Sequence, residues 1–295
     1  MRTRLEQVGE TFLDGYHAAL KPCTPPALVA QLNSTDADLR GFAFEGAAMG
    51  LALLDTLTPW RPHRITNFLS GAGNAHAYMV HVGVGWIWAR FSFGFRRFRR
   101  RLDPLLSWLA FDGWGFHEGY FHWPEYVAGK PPPRRLAGYE RRAFDQGLGR
   151  SWWFVNGGNP ELVSRTIAGL SAERRPDMWS GVGLAATYAG LANEGVLQAL
   201  RDLAGPAWPQ LAQGAAFAAK ARERAGNLTP YTDLAAKVLC GLSATDAARL
   251  CDTTLENLPA NATQPAYEIW RLRIQQHFQA PYEAKATQPL QEVYR

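Results

Sequence analysis

The sequence predicts an all-α chain: an array of about six helical hairpins of ~34 residues, forming a tetratricopeptide-like superhelix or a closed α/α toroid. Three observations predict it. No stretch shows the period-two alternation of a half-buried strand bounded by turn residues. A tripeptide Gly-x-(Gly/Ala) recurs inside apolar helical segments, with first glycines at Gly46, Gly83, Gly113, Gly147, Gly181 and Gly214. The intervals between them are 37, 30, 34, 34 and 33 residues, the size of one helix–turn–helix unit.

Residues 1–37 read as N-terminal capping helices. Residues 38–243 carry the repeats, and 244–295 supply C-terminal capping helices and a tail, so 1–295 form one domain. The segments FEGAAMGLALLDTL, VHVGVGWIWARF, FDGWGFHEGYFHW, FDQGLGRSWWFV, WSGVGLAATYAGL and AQGAAFAAKARERAG look like one helix repeated. A glycine inside a helix costs about 1 kcal/mol relative to alanine, so its recurrence points to close approach of neighbouring helices. Between these segments LDPLLSWLAF, NPELVSRTIAGL, NEGVLQALRDLAG and YTDLAAKVLCGL read as second helices of hairpins. Asn159-Pro160-Glu161 places a capping side chain before a proline at the first helical position. The turn Asn156-Gly157-Gly158-Asn159 and the run Pro131–Pro133 separate elements.

Composition narrows the class. With 47% hydrophobic and 19% charged residues the chain is not generally disordered. Cys23, Cys240 and Cys251 are too few and too scattered for a disulfide framework or a zinc ribbon, so a reducing cytoplasm is expected. The N-terminal twenty residues lack the apolar core of a secretory signal, and no run reaches the length of a spanning helix. A net charge of +5 is too mild to imply nucleic acid. No phosphate loop, dinucleotide fingerprint or nucleophile elbow is present. Cys240 sits in an apolar helix and reads as core. No cofactor is identified.

The residues just before the repeated glycines are mostly polar: Glu45, His81 (two before), Asp112, Asp145 with Gln146, Ser180 and Gln213. Equivalent helices would bring them to one cavity walled by Trp86, Trp114, Trp152 and Trp179. An apolar cavity with a few convergent polar groups is the usual make-up of a small-molecule site. The alternative is that each polar side chain bonds a neighbouring backbone. Glu45, His81, Asp112, His117, Glu118 and Asp145 are the candidate acid/base residues. The tryptophans, with Gln146 and Gln213, are candidate substrate contacts. His81, Glu118 and His122 make a candidate metal set of two imidazoles and a carboxylate. His117 and His122 are five apart and do not make the zinc signature of histidines four apart on a helix.

Arg96, Arg97, Arg99, Arg100 and Arg101 fall within six residues, interleaved with phenylalanine. The run is expected between helices and exposed, as a solvated loop or as a contact for an acidic protein or a peripheral membrane surface.

Several blocks carry a resemblance. They are Arg40-Gly-Phe-Ala-Phe-Glu-Gly-Ala-Ala-Met, Tyr78-Met-Val-His-Val-Gly-Val-Gly-Trp, Phe111 to His122, Arg142-Ala-Phe-Asp-Gln-Gly-Leu-Gly-Arg and Met178-Trp-Ser-Gly-Val-Gly-Leu-Ala. Over residues 38–275 the chain resembles the enediyne biosynthesis protein family, domain of unknown function 1702. The resemblance implies secondary metabolism on a polyene or acyl intermediate beside an iterative polyketide synthase. An acyl carrier protein or the synthase is then an expected partner. It implies no particular catalytic residue. The expected function is an accessory biosynthetic enzyme, its reaction unassigned. The alternative is a non-catalytic scaffold binding partner proteins on a concave helical face.

Overall fold

Every regular element among the described residues, 2–60, 63–190, 192–259 and 262–286 of a computed structural model, is a helix. The end of the expected tail, 287–295, lies outside them. The first helices are α1 (Arg2–Leu20), α2 (Pro25–Asn33), α3 (Arg40–Leu57), α4 (Arg64–Ser70), α5 (Ala77–Arg90) and α6 (Phe95–Arg99). Next come α7 (Leu109–Phe121), α8 (Trp123–Val127), α9 (Tyr139–Val155), α10 (Pro160–Ala168) and α11 (Arg175–Tyr188). The chain continues with α12 (Glu194–Ala204), α13 (Trp208–Arg224), α14 (Pro230–Cys240), α15 (Ala244–Leu255) and α16 (Ala266–Ala286). No helix among the described residues is long and apolar enough to cross a membrane.

Local chemistry starts many of the shorter helices. The side chains of Thr24, Asn159, Asn193, Thr229 and Ser243 accept hydrogen bonds from backbone N–H groups of the first turns of α2, α10, α12, α14 and α15. The odd-numbered helices from α1 to α15 pack each on the next, while α10, α12 and α14 pack on one another.

The repeated glycines set the height of each long helix. A Cβ at Gly83 would collide with the carbonyl of Glu45 on α3. Likewise Gly113 meets the carbonyl of Val82, Gly147 that of Asp112, Gly181 that of Gln146 and Gly214 that of Ser180. Each partner is the residue immediately before the previous glycine. A second set faces the other way: Gly85, Gly115, Gly149 and Gly183 meet the carbonyls of Ala110, Phe144, Met178 and Leu211. The same pairing extends into α1, where Gly46 meets Phe12 and Gly15 meets Ala43. Only a residue without Cβ allows backbones this close.

One expected hairpin helix is absent. LDPLLSWLAF forms a single 3₁₀ turn, Leu106–Trp108, running straight into α7. Asp103 Oδ1 accepts from the N–H groups of Leu105 and Leu106 at 2.9 and 2.7 Å, fixing a turn instead. The basic run supplies the short helix α6. Phe95 is buried against Trp88, Phe111 and Trp114. Arg96 pairs with Glu140 at 2.9 Å, and Arg99 lies 3.7 Å from the centre of the Trp108 ring. The run is therefore partly built into the fold, with Arg96, Arg97 and Arg100 exposed and the last two without an acidic partner among the described residues.

Candidate functional site

Positions one before and three after the repeated glycines, a helical turn apart, share a face. Glu45, Asp112 and Gln146 hold the first position. Met49, Trp86, Phe116 and Arg150 hold the second. Phe12, Trp86 and Phe116 form an aromatic cluster, with Met49 and Phe154 packed against it. Beside it lies a cavity of about 240 Å³ between α1, α3, α5, α7 and α9. Its walls include Val8, Phe12, Trp86, Phe116, Phe121 and Phe154, and its polar end is Glu45 with Arg150.

Glu45 is buried. Trp86 Nε1 donates to its Oε1 at 3.0 Å, and Arg150 Nη1 lies 3.9 Å from the same oxygen. Arg150 Nε stands 2.9 Å from Asp112 Oδ1, and the guanidinium lies 4.3 Å from the centre of the Phe116 ring. Arg150 Nη2 is buried without a hydrogen-bond partner among the described residues. Burial pushes the Glu45 carboxyl from 4.5 up to about 7; Arg150 and Trp86 oppose the rise and Asp112 adds to it. Burial also raises Asp112, against the pull of Arg150. A buried carboxyl that titrates near neutrality beside an apolar cavity can accept and return a proton there.

The remaining polar candidates lie elsewhere. Gln213 Oε1 accepts from Ser180 Oγ at 2.9 Å, Arg271 Nε at 3.0 Å and Gln275 Nε2 at 3.2 Å. Arg271 Nη1 donates to Tyr139 Oη at 2.9 Å and Asp177 Oδ1 at 3.0 Å, and Gln146 Nε2 reaches the same two groups. Thus α16 fills the space beside α9, α11 and α13 with a buried hydrogen-bonded network, in which Gln213 Nε2 and Arg271 Nη2 lack a partner among the described residues. Gln146 and Gln213 belong to that network and not to the cavity. Asp145 is gripped by Arg174 at 2.6 and 2.9 Å, while burial raises its pKa to about 6.

His117 and His122 come together, with ring centres 6.3 Å apart beside Glu118, while His81 is bonded elsewhere. His81 Nδ1 lies 2.7 Å from the Ala77 carbonyl, and burial lowers its pKa. His117 meets Glu118 at 3.5 Å and Trp86 edge to face, behind the cavity wall. Burial raises Glu118, but His117, His122 and Tyr126 hold it below its ordinary value. His122 faces Glu125 at 3.6 Å. Among the described residues no three His, Cys, Asp or Glu side chains are placed to hold a metal ion, so His81, Glu118 and His122 are not assembled as a ligand set. Trp114, Trp152 and Trp179 are buried in the main core; of the four tryptophans only Trp86 lines the cavity.

Two features of the site escaped sequence reasoning. Arg150 carries a signal, since it stands three residues after Gly147 as Trp86 does after Gly83. The α1 wall carries a fainter one, because only Gly15 of its glycine pair is present and Leu13 occupies the other place.

No curated protein and no solved structure matches the chain. The family described as "Protein of unknown function (DUF1702)" matches residues 1–278, and the chain, with its glycine-registered helices and its buried Glu45–Arg150–Asp112 group, belongs to that family.

Proposed function

We propose that the chain is an accessory enzyme of enediyne-type polyketide biosynthesis that moves a proton on a conjugated polyene or acyl intermediate. The observation that carries this reading is Glu45, a buried carboxyl raised to about 7 at the polar end of an aromatic-walled cavity. Aromatic faces and edges suit a flat, apolar, conjugated ligand. At about 240 Å³ the cavity takes a ring or a stretch of chain, not a whole long polyene. Glu45 is the acid/base group, taking a proton from one carbon of the conjugated chain and returning it at another. Such a step balances without a second reactant. Arg150 steadies the carboxylate form, and Asp112 holds Arg150 in place.

We read the long helices as tandem hairpins curved into a superhelix whose concave side holds this cavity; the glycine contacts at intervals near 34 residues support that. Filling of this side by Phe12, Trp86 and Phe116, and by α16 beyond, favours a small-molecule cleft, open on the side of Leu13, Tyr120 and Phe121, over a protein-binding groove. Unpaired Cys23, Cys240 and Cys251 fit a cytoplasmic setting. The test is Glu45→Gln, with product formation in the producing host and quenching of tryptophan fluorescence by a conjugated polyene acid in vitro. Product is expected to disappear while polyene binding persists. Product at the level of the unmodified protein would remove Glu45 from the chemistry.

A further inference from the structure

Every exposed Phe, Tyr or Trp whose side chain is described lies at or just beyond the C-terminal end of α3, α5 or α7, a set of ends that forms one rim. Trp60 is 74% exposed, Phe93 70%, Phe121 52%, Trp123 46% and Tyr120 44%. They follow or close three neighbouring helices: Trp60 beyond α3, Phe93 beyond α5, and the other three at the end of α7 and the start of α8. The ends are adjacent in space. Asp55 and Pro59 share a groove of about 220 Å³ with Phe91 and Phe93, and Arg90 lies 6.0 Å from the centre of the Phe121 ring. Arg90 stands at Phe121, Arg97 lines the groove with Phe93, and Arg100 follows it in sequence; all three are exposed and without an acidic partner among the described residues. The exposed acids nearby in sequence are Asp103 and Glu125. Asp103 is used by the turn before α7, and Glu125 pairs with Lys130.

We infer that this rim docks on an anionic membrane surface. Aromatic rings settle at the level of the lipid headgroups, and arginines between them meet the phosphates. An acidic protein would pair with the arginines yet leave aromatic side chains on three separate helix ends in water; a bilayer receives them all. Exposed aromatic side chains gathered at neighbouring helix ends mark an interaction surface. The rim also borders the cavity, since Tyr120 and Phe121 line both. An apolar ligand dissolved in lipid would reach the cavity without crossing water. The docking is independent of what Glu45 does.

The test is sedimentation of the full chain with vesicles of phosphatidylcholine alone and of phosphatidylcholine with phosphatidylglycerol. Binding to the mixed vesicles, weakening as salt rises, is expected, together with a blue shift of tryptophan fluorescence. Trp60→Ser combined with Phe93→Ser is expected to weaken binding at least tenfold with an unchanged Tm. Arg97→Glu combined with Arg100→Glu is expected to weaken it about 30-fold or more, given the worth of each basic residue at an anionic surface. No binding to the mixed vesicles at low salt would overturn the inference, as would both double variants binding like the parent. Binding to polyglutamate without binding to vesicles would overturn it in favour of an acidic protein partner.

Discussion

Replacing Glu45 by glutamine tests the electrostatics of the cavity without reference to any substrate. Glutamine keeps an oxygen to accept the Trp86 Nε1 hydrogen bond and removes only the titration. Glu45 titrates at 4.5 when free and at about 7 in the fold. A carboxyl that holds its proton more tightly folded than unfolded adds stability that is full below pH 4.5 and is lost as pH climbs through 7. At about 1.4 kcal/mol per pH unit, the gap amounts to about 3 kcal/mol. Asp112 and Asp145 are raised as well and slope in the same direction, so the measurement is the difference between parent and variant. Urea unfolding is measured for both proteins at half-unit steps from pH 4 to pH 8. The parent is expected to lose about 3 kcal/mol more than Glu45→Gln over this range, with the loss concentrated between pH 4.5 and 7. Parallel pH profiles would mean that Glu45 is ordinary in the folded chain, and the acid/base argument would fail with it.

Trp86→Phe removes the N–H that favours the Glu45 carboxylate, so the step in the pH–stability profile should move to higher pH; a shift downward would contradict the hydrogen bond. Gly147→Ala drives a Cβ into the Asp112 carbonyl and should cost about 3 kcal/mol or more. Gly9→Ala, with nothing within 4 Å of the added carbon, should stabilise α1 by about 1 kcal/mol, both read from urea melts. Arg271→Ala leaves Asp177 to Arg142 and Gln146 but takes a buried donor from Tyr139 and Gln213, and should cost about 2 to 3 kcal/mol, with faster proteolysis ahead of α16. A thiol reagent should label exposed Cys23 at once. It should reach Cys240, whose thiol burial pushes up to about 12, and Cys251 only on unfolding.

The glycines were legible because a costly residue placed periodically inside helices has few explanations besides backbone approach. Glu45 and Asp112 were legible by position, each one residue before such a glycine. Beyond that, periodicity says that residues share a face but not which partner meets them there. Gln146, Ser180 and Gln213 occupy the same position as Glu45, yet α16 reaches across and bonds Gln213 through Arg271 and Gln275, while Ser180 donates to Gln213 and Gln146 shares Tyr139 and Asp177 with Arg271. That outcome depends on a helix some sixty residues away from Gln213 in sequence. The histidines misled for a different reason. His81 is two residues before its glycine, not one, which is enough on a helix to turn its ring away toward the Ala77 carbonyl. Trp114 and Trp152 stand one and five residues after their glycines, and both enter the core.

The glycine contacts carry a further consequence for how the chain tolerates change. Each long helix takes its height from the backbone of the helix before it, not from the length of the connection between them. The connections differ accordingly, with successive glycines 30 to 37 residues apart, while the carbonyl met is the same one every time. A spacing error in one loop is thus erased at the next contact and is not passed along the array. Loops can be lengthened, shortened or rebuilt around new partners while Glu45 and Arg150 stay level across the four helices α3, α5, α7 and α9.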